Sequence, residues 1–292
     1  LLQINALSAD EKIFNYMKKK DSAKIKYILY LYPEFKKSIK QNDSEYYENE
    51  ISQINNYDLK RQAGENDSYL CSLIRNDSVD EFVTYVNKTN ISLAKTKIKS
   101  SIFETNSFLL KKEPSLIEYT AFHGSISIFQ YLRLQQVDLE SSLWLYAIHS
   151  NSPEMIHILE DNHFAPEDFT YRECYNEAIK CHHNSIANYI KECLMPQADE
   201  IAFNSPGNKV KSTLNYIFEF YNFSFMNFKS FDKQVLCYLI DYDYFNLIKL
   251  YLSDEFNKLT EIINDKLFYS LENLIITSLP LPLNNFSNIK TA

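Results

Sequence analysis

Histidine and cysteine are the residue types in this chain best suited to chemistry, and five of them are crowded into one short stretch. Zinc sites are built from Cys and His ligands, so a zinc ion is the first chemistry to consider. The spacing C-x6-C-H-H-x9-C is not one that zinc sites use, and cysteine is more often a small buried apolar residue. We therefore predict no metal and no cofactor for this stretch, whose residues are Cys174, Cys181, His182, His183 and Cys193.

A nucleophile served by a histidine base is the second chemistry that these residue types allow. The candidates are Cys181 or a serine, with His149, His182 or His183 as the base. Adjacent residues on a helix point about 100° apart, so Cys181 and His182 cannot pair. A third group would have to come from another repeat, and the sequence does not identify it. We predict no catalytic residues and no enzymatic activity; a small helical enzyme or metal protein using the Cys/His cluster at 174–193 stays as an alternative.

The elements that carry these residues follow a repeated pattern of apolar positions. Around a central residue, apolar residues recur at positions −8, −7, −4 and −3 and again at +4, +5, +7 and +8. Two amphipathic helices joined by a tight turn have this spacing. Such a hairpin cannot bury its own apolar face and must stack on its neighbours. The sequence therefore predicts an all-α fold, an α-solenoid of stacked helical hairpins, with centres at Asp21, Ser78, Gly124, Asn151, His182 and Asp243.

The spacing of these centres divides the chain into five regions. The central units, at Gly124, Asn151 and His182, follow one another closely, whereas polar stretches and prolines interrupt the pattern elsewhere. We predict an N-terminal helical hairpin over 1–40, a polar linker or exposed helix over 41–66, a core repeat domain over 67–195, C-terminal helical repeats after a loop over 196–275, and a frayed or truncated tail over 276–292.

Composition and charge exclude several classes of function. With only 3 glycines, the chain has no phosphate-binding loop. A net charge of −8 without a basic stripe argues against nucleic-acid binding, and the absence of about 18 consecutive apolar residues predicts no membrane span. The 5 scattered cysteines do not form a disulfide framework, so we expect a reducing, cytoplasmic location. Because the sequence starts at Leu1, we expect a fragment, whose targeting is not readable.

The hairpin centred on Gly124 resembles an ankyrin repeat. The ankyrin pattern is T-P-L-H-x-A-A-x-x-G-H, followed by paired aliphatic residues and a G-A-D turn. The segment SLIEYTAFHGS at 115–125 is similar, with Ala121 and Gly124 in register, and Gln136–Asp138 stand where G-A-D would. T-P-L-H is absent, and only one of the six centres is glycine. The chain is thus similar to a divergent ankyrin-repeat protein.

A longer resemblance covers residues 67–195 and continues more weakly to about 255. It is to the divergent ankyrin-type domain of unknown function found in large protist ankyrin-repeat families. In those families the domain precedes regular ankyrin repeats, which do not occur in this sequence. The resemblance implies a fold and a repeat class and implies no established activity. The segments that carry it are LIRNDSVDEFVTYVN (73–87), SIFETNSFLL (101–110), SLWLYAIHSNSPEMIHILE (142–160) and CYNEAIKCHHNSIANYI (174–190).

The resemblance also suggests where a partner would bind. In ankyrin-like stacks the first helix of each pair lines the concave side, where positions −5, −2 and −1 point outward, and exposed aromatic residues are common at interaction hot spots. We expect a non-catalytic scaffold that binds an unidentified protein partner through this concave face. The predicted partner-binding residues are Tyr119, Phe122, His123, Tyr146, His149, Glu177 and Lys180, with Ser150 and Cys181 at equivalent positions.

Two alternatives to this binding face remain open at the level of sequence. Tyr119 and Tyr146 could instead pack against the preceding repeat, since apolar atoms cover much of any protein surface. Trp144 is expected in the core, because it occupies the −7 position where the repeat needs a large apolar residue. The whole segment could also serve as a structural spacer or cap for a longer array. The oligomeric state is not predicted.

Overall fold

The described residues of the protein, 9–19, 25–167 and 169–195 of a computed structural model, form helices joined by short loops. No strand occurs in these ranges, which contain one isolated bridge between Lys97 and Ser115. The predicted all-α class is confirmed. The hairpin centres predicted at Asp21 and Asp243, the repeats predicted over 196–275 and the tail over 276–292 lie outside the described residues.

Thirteen α-helices are present in the described part of the chain. They are α1 (Glu11–Lys19), α2 (Ile25–Phe35), α3 (Gln41–Ser52), α4 (Tyr57–Ala63), α5 (Tyr69–Arg75), α6 (Val79–Thr89), α7 (Ser107–Leu110), α8 (Leu116–His123), α9 (Ile126–Leu134), α10 (Leu143–His149), α11 (Pro153–Asp161), α12 (Arg172–Lys180) and α13 (Asn184–Tyr189). A π-helical turn, Ile190–Leu194, continues α13. None of these helices is long and apolar enough to cross a membrane.

The first of two compact units contains α1 to α4 and α7, and its core is aromatic. The ring of Phe14 lies 5.7 Å from that of Phe35 and 5.8 Å from that of Tyr47. The stretch 41–66, expected to be a polar linker or an exposed helix, forms α3 and α4 and buries Tyr47 and Tyr57. One buried aromatic residue in each helix therefore anchors a mostly polar segment to the core. The mean hydropathy of the whole stretch does not reveal this contribution.

The second compact unit contains four helical hairpins in chain order: α5 with α6, α8 with α9, α10 with α11, and α12 with α13. The first helices of these hairpins contact one another in sequence, α5 with α8, α8 with α10, and α10 with α12. The second helices α6 and α9 are also in contact. Each hairpin thus buries its apolar side against the next hairpin along the chain.

Left-handed residues form the turns inside these hairpins. Gly124, Asn151 and His182, three of the predicted centres, have φ values of 66°, 51° and 60°. In the hairpin predicted at Ser78, the left-handed residue is Asp77, with φ 48°. The predicted centre of that hairpin, Ser78, therefore lies one residue C-terminal to the observed left-handed residue. A left-handed residue ends the first helix and reverses the chain direction within a few residues.

The hairpin centred on Gly124 shows how local sequence fixes these turns. Ser115 and Glu118 form a capping box at the start of α8: Ser115 Oγ accepts a hydrogen bond from Glu118 N at 3.3 Å, and Glu118 Oε2 accepts one from Ser115 N at 2.7 Å. A Cβ atom on Gly124 would lie 3.3 Å from the Cβ of Ser150 in the next hairpin. Glycine is needed here both for its positive φ and for the close approach of the neighbouring turn.

Equivalent residues of neighbouring hairpins make equivalent hydrogen bonds. Ser125, which follows the left-handed Gly124, donates its hydroxyl to the Ile74 carbonyl of the preceding hairpin at 2.6 Å, and this bond is buried. His183, which follows the left-handed His182, has Nδ1 2.8 Å from the Ile148 carbonyl. Ile74 and Ile148 each lie three residues before the left-handed residue of their own hairpin. The same polar contact therefore occurs at two of the three junctions between hairpins, while at the middle junction the equivalent Ser152 hydroxyl accepts a hydrogen bond from Met155 N of its own helix.

The core of this second unit is built from the apolar positions of the repeated pattern. Trp144 is fully buried, as predicted, and its indole Nε1 donates to the Phe164 carbonyl at 2.6 Å. Ala121 and Ala178, one in each of two first helices, are also fully buried and leave space for the neighbouring helix. Small side chains at these positions let the first helices approach one another closely.

Candidate functional site

Three of the predicted partner-binding residues are buried. Tyr119, Phe122 and Tyr146 expose 1 %, 8 % and 2 % of their surface, so the prediction that they point outward is wrong. The neighbouring hairpins cover two of them: Arg75 Nη1 donates to the Tyr119 hydroxyl at 3.2 Å, and the His149 ring stacks on that of Phe122 at 4.8 Å. The interpretation of Tyr119 and Tyr146 as packing residues fits these contacts and this burial.

The other predicted residues, His123, His149, Glu177 and Lys180, are partly exposed. Two of them meet Cys181, which caps the C-terminus of α12. His149 is the last residue of α10, and Glu177 lies four residues before Cys181, so the two residues from α12 share one side of that helix. One ligand atom from each of His149, Glu177 and Cys181 lies within 4.8 Å of the other two.

An imidazole–carboxylate pair forms one half of this cluster. His149 Nε2 lies 2.8 Å from Glu177 Oε1, and Lys180 Nζ lies 3.5 Å from the same oxygen. Burial raises the pKa of the Glu177 carboxyl, but the hydrogen bond and the charge of His149, together with Lys180, outweigh burial and hold this pKa below its ordinary value. Glu177 is therefore an ionised carboxylate at neutral pH, fixed between two nitrogen donors.

The thiol of Cys181 completes the cluster in a position that does not suit proton transfer. Its sulfur lies 3.3 Å from Nδ1 and 3.8 Å from Nε2 of His149. The lone pairs of the two ring nitrogens point away from each other, so an atom in line with one nitrogen is much farther from the other. The sulfur is almost equally distant from both nitrogens and therefore lies over the face of the imidazole ring. The sulfur is therefore not in line with the lone pair of either ring nitrogen, and the three residues offer one ligand atom each to a metal ion.

His123 lies beside this cluster with its ring packed on aromatic neighbours. Its ring centre is 4.6 Å from that of Tyr119 and 4.9 Å from that of Phe122. The buried Nε2 atom has no hydrogen-bond partner among the described residues. Burial, then the charges of Arg75 and His149, lower the pKa of His123 to about 3. His123 is therefore neutral at physiological pH and is a packing residue more than a charged contact.

The Cys and His residues of 174–193, considered as an alternative metal or catalytic site, do not form one cluster among the described residues. Cys174 is buried in the core and Cys193 is exposed, while His183 is bonded to the Ile148 carbonyl. Burial lowers the pKa of His183, against the effect of that bond. Only Cys181 from this stretch joins the cluster, with Glu177 and His149. The repeated apolar pattern is the sequence signal that could have identified this cluster. It places His149, Glu177 and Cys181 at the predicted outward positions of two successive first helices.

No protein-family model, curated protein or solved structure matches this chain.

Proposed function

We propose that the chain is a non-catalytic protein-interaction scaffold, built as an α-solenoid of divergent ankyrin-type hairpins. The observation that carries this proposal is the row of first helices α5, α8, α10 and α12, each in contact with the next. A row of this kind presents the same helix positions of every hairpin along one surface. Such extended surfaces are what stacked repeats use to bind other proteins.

Two further features support the ankyrin-type assignment. The left-handed turn inside each hairpin of the second unit places Gly124 where the ankyrin pattern has glycine. The hydrogen bonds of Ser125 and His183 to the preceding hairpin occur at equivalent positions. Such equivalence is expected when repeats stack with the same geometry. The resemblance of the sequence to the protist ankyrin-type domain of unknown function supports the same assignment.

The proposed binding surface lies at the ends of the first helices and is called the helix-end surface: His149, Glu177, Lys180 and Cys181, with the packed ring of His123 beside them. The buried ring of Phe122 stacks on His149, and the buried ring of Tyr119 packs on His123. Binding then relies on polar side chains set on a fixed aromatic base, which reduces the entropy lost when a partner binds. None of the four cysteines in the described ranges forms a disulfide, which fits the proposed cytoplasmic location.

A charge reversal on the helix-end surface tests this function. Lys180→Glu changes a partly exposed side chain at the end of α12, whereas Lys88→Glu makes the same change of charge on the exposed side of the second helix α6. We expect proteins recovered with the full chain from a lysate of the source cells to be lost with Lys180→Glu and retained with Lys88→Glu. Circular dichroism is used to check that both variants are folded.

Two outcomes of this experiment would contradict the proposal. Equal recovery with both variants would mean that the helix-end surface is not the contact. Recovery of no specific protein by the full chain would favour a structural spacer or cap for a longer repeat array.

A further inference from the structure

We propose that His149, Glu177 and Cys181 bind a divalent transition-metal ion of the zinc class, and that they leave at least one coordination position open. This site goes beyond scaffold function and uses residues from two successive hairpins. A nitrogen, an oxygen and a sulfur atom converge there, from an imidazole, a carboxylate and a thiol. Thiolate and imidazole ligands favour zinc and its neighbours over magnesium and calcium.

The separations of the ligand atoms are close to those that such an ion requires. Zinc binds sulfur at about 2.3 Å and nitrogen or oxygen at about 2.0–2.2 Å in a tetrahedral arrangement, which sets neighbouring ligand atoms roughly 3.3–3.7 Å apart. Cys181 Sγ lies 3.8 Å from His149 Nε2, and Nε2 lies 2.8 Å from Glu177 Oε1. The nitrogen–oxygen separation is therefore about half an ångström short of the required range, and the sulfur–nitrogen separation is already close to that range.

Metal binding also requires the His149 ring to turn. In the present arrangement the sulfur lies over the face of the ring, so no ring nitrogen points at the centre of the cluster. Rotation about the Cβ–Cγ bond directs a nitrogen lone pair between Cys181 and Glu177, and it exchanges the His149–Glu177 hydrogen bond for two bonds to the metal. The thiol proton of Cys181 is released to solvent in the same step, together with one ring proton of His149 when the imidazole is charged.

The surroundings of the cluster allow this exchange. Glu177 and Cys181 are partly exposed, so an ion reaches them from solvent. In the present arrangement Lys180 Nζ lies 3.5 Å from Glu177 Oε1, and turning the imidazole gives up its stacking on the Phe122 ring, whose centre is 4.8 Å away. Because α10 and α12 belong to neighbouring hairpins, the ion would link the two hairpins and stabilise their contact.

Cobalt is the most direct probe of this site, because a cobalt–thiolate bond gives a charge-transfer band in the near ultraviolet. The reduced, metal-free full chain is titrated with Co²⁺ and compared with Cys181→Ser and with the matched control Cys193→Ser, which removes an exposed thiol outside the cluster. We expect the band to saturate at a single ion per chain, to persist in Cys193→Ser, to be absent in Cys181→Ser, and to disappear when Zn²⁺ is added.

A second variant tests the carboxylate ligand without removing the thiol. Glu177→Gln keeps the size of the side chain, and circular dichroism reports whether it folds. We expect its Co²⁺ affinity to fall at least tenfold, since a neutral amide is a poor ligand for these ions. Absence of a band in the wild-type chain, an equal band in Cys181→Ser, or unchanged affinity in Glu177→Gln would each overturn the proposal.

Discussion

At the scale of single residues, burial decides which predicted positions can act. Tyr119, Phe122 and Tyr146 have the side chains expected at an interaction hot spot, but each is covered within the unit. A repeat frame specifies the direction in which a side chain leaves its helix, and it does not specify how far the neighbouring helix extends over it. Only the three-dimensional packing of successive hairpins therefore shows which aromatic residues are exposed and which are buried.

His123 provides a test of this burial that depends on pH. Its pKa is about 3 in the folded chain, against 6.5 for an ordinary histidine. Below about pH 6.5 the unfolded chain takes up a proton that the folded chain does not, so stability falls as pH falls, by at most about 1.4 kcal/mol per pH unit. We expect His123→Leu, which cannot be protonated, to lose less stability than the wild type between about pH 7 and pH 5.

Urea unfolding at a series of pH values measures this difference. His183, whose pKa is also lowered by burial, is present in both proteins and contributes equally to both curves. The difference between the two proteins therefore isolates His123. Parallel stability curves for the wild type and His123→Leu would show that His123 is solvated, contrary to the packing described above.

At the scale of elements, the hairpin is the unit that the sequence predicts well. The apolar frame placed the turns at Gly124, Asn151 and His182 correctly, because each hairpin repeats the same spacing between its turn and its buried positions. In the first hairpin of the second unit, the apolar pattern placed the turn at Ser78, one residue C-terminal to the observed left-handed residue. There Asp77 takes the left-handed conformation, and its carboxylate accepts hydrogen bonds from two backbone amides at the start of α9, which no periodicity of apolar residues reveals.

Polar contacts between hairpins can be tested at Ser125. Ser125→Ala removes the buried hydrogen bond to the Ile74 carbonyl, and Ser125 makes no side-chain capping bond to its own helix α9. We expect a loss of about 1 kcal/mol of unfolding free energy. Ser127→Ala, two residues away and exposed, is the matched control and should change stability by less than about 0.5 kcal/mol.

Denaturant midpoints of the two serine variants decide this point. If Ser125→Ala were no less stable than Ser127→Ala, the repeated hydrogen bond would contribute nothing to the contact between hairpins. The stacking of the unit would then rest on apolar packing alone.

At the scale of the whole molecule, sequence and structure differ in what they establish. The all-α class and the order of hairpins in the second unit followed from periodicity, because local spacing is enough to specify a helix pair. The burial of Tyr47 and Tyr57 in the stretch 41–66 and the cluster of His149, Glu177 and Cys181 did not follow. Both depend on contacts between residues distant in sequence, and a single sequence gives their spacing along the chain but not their distance in space.

The central claim, that the helix-end surface contacts a protein partner, is tested most directly by site-specific photo-crosslinking in the source cells. A benzophenone amino acid replaces Lys180 on the helix-end surface or, as control, Lys88 on a second helix. The account predicts a light-dependent adduct of defined mass from position 180 and none from position 88. An absent adduct at position 180, or the same adduct from both positions, would contradict it.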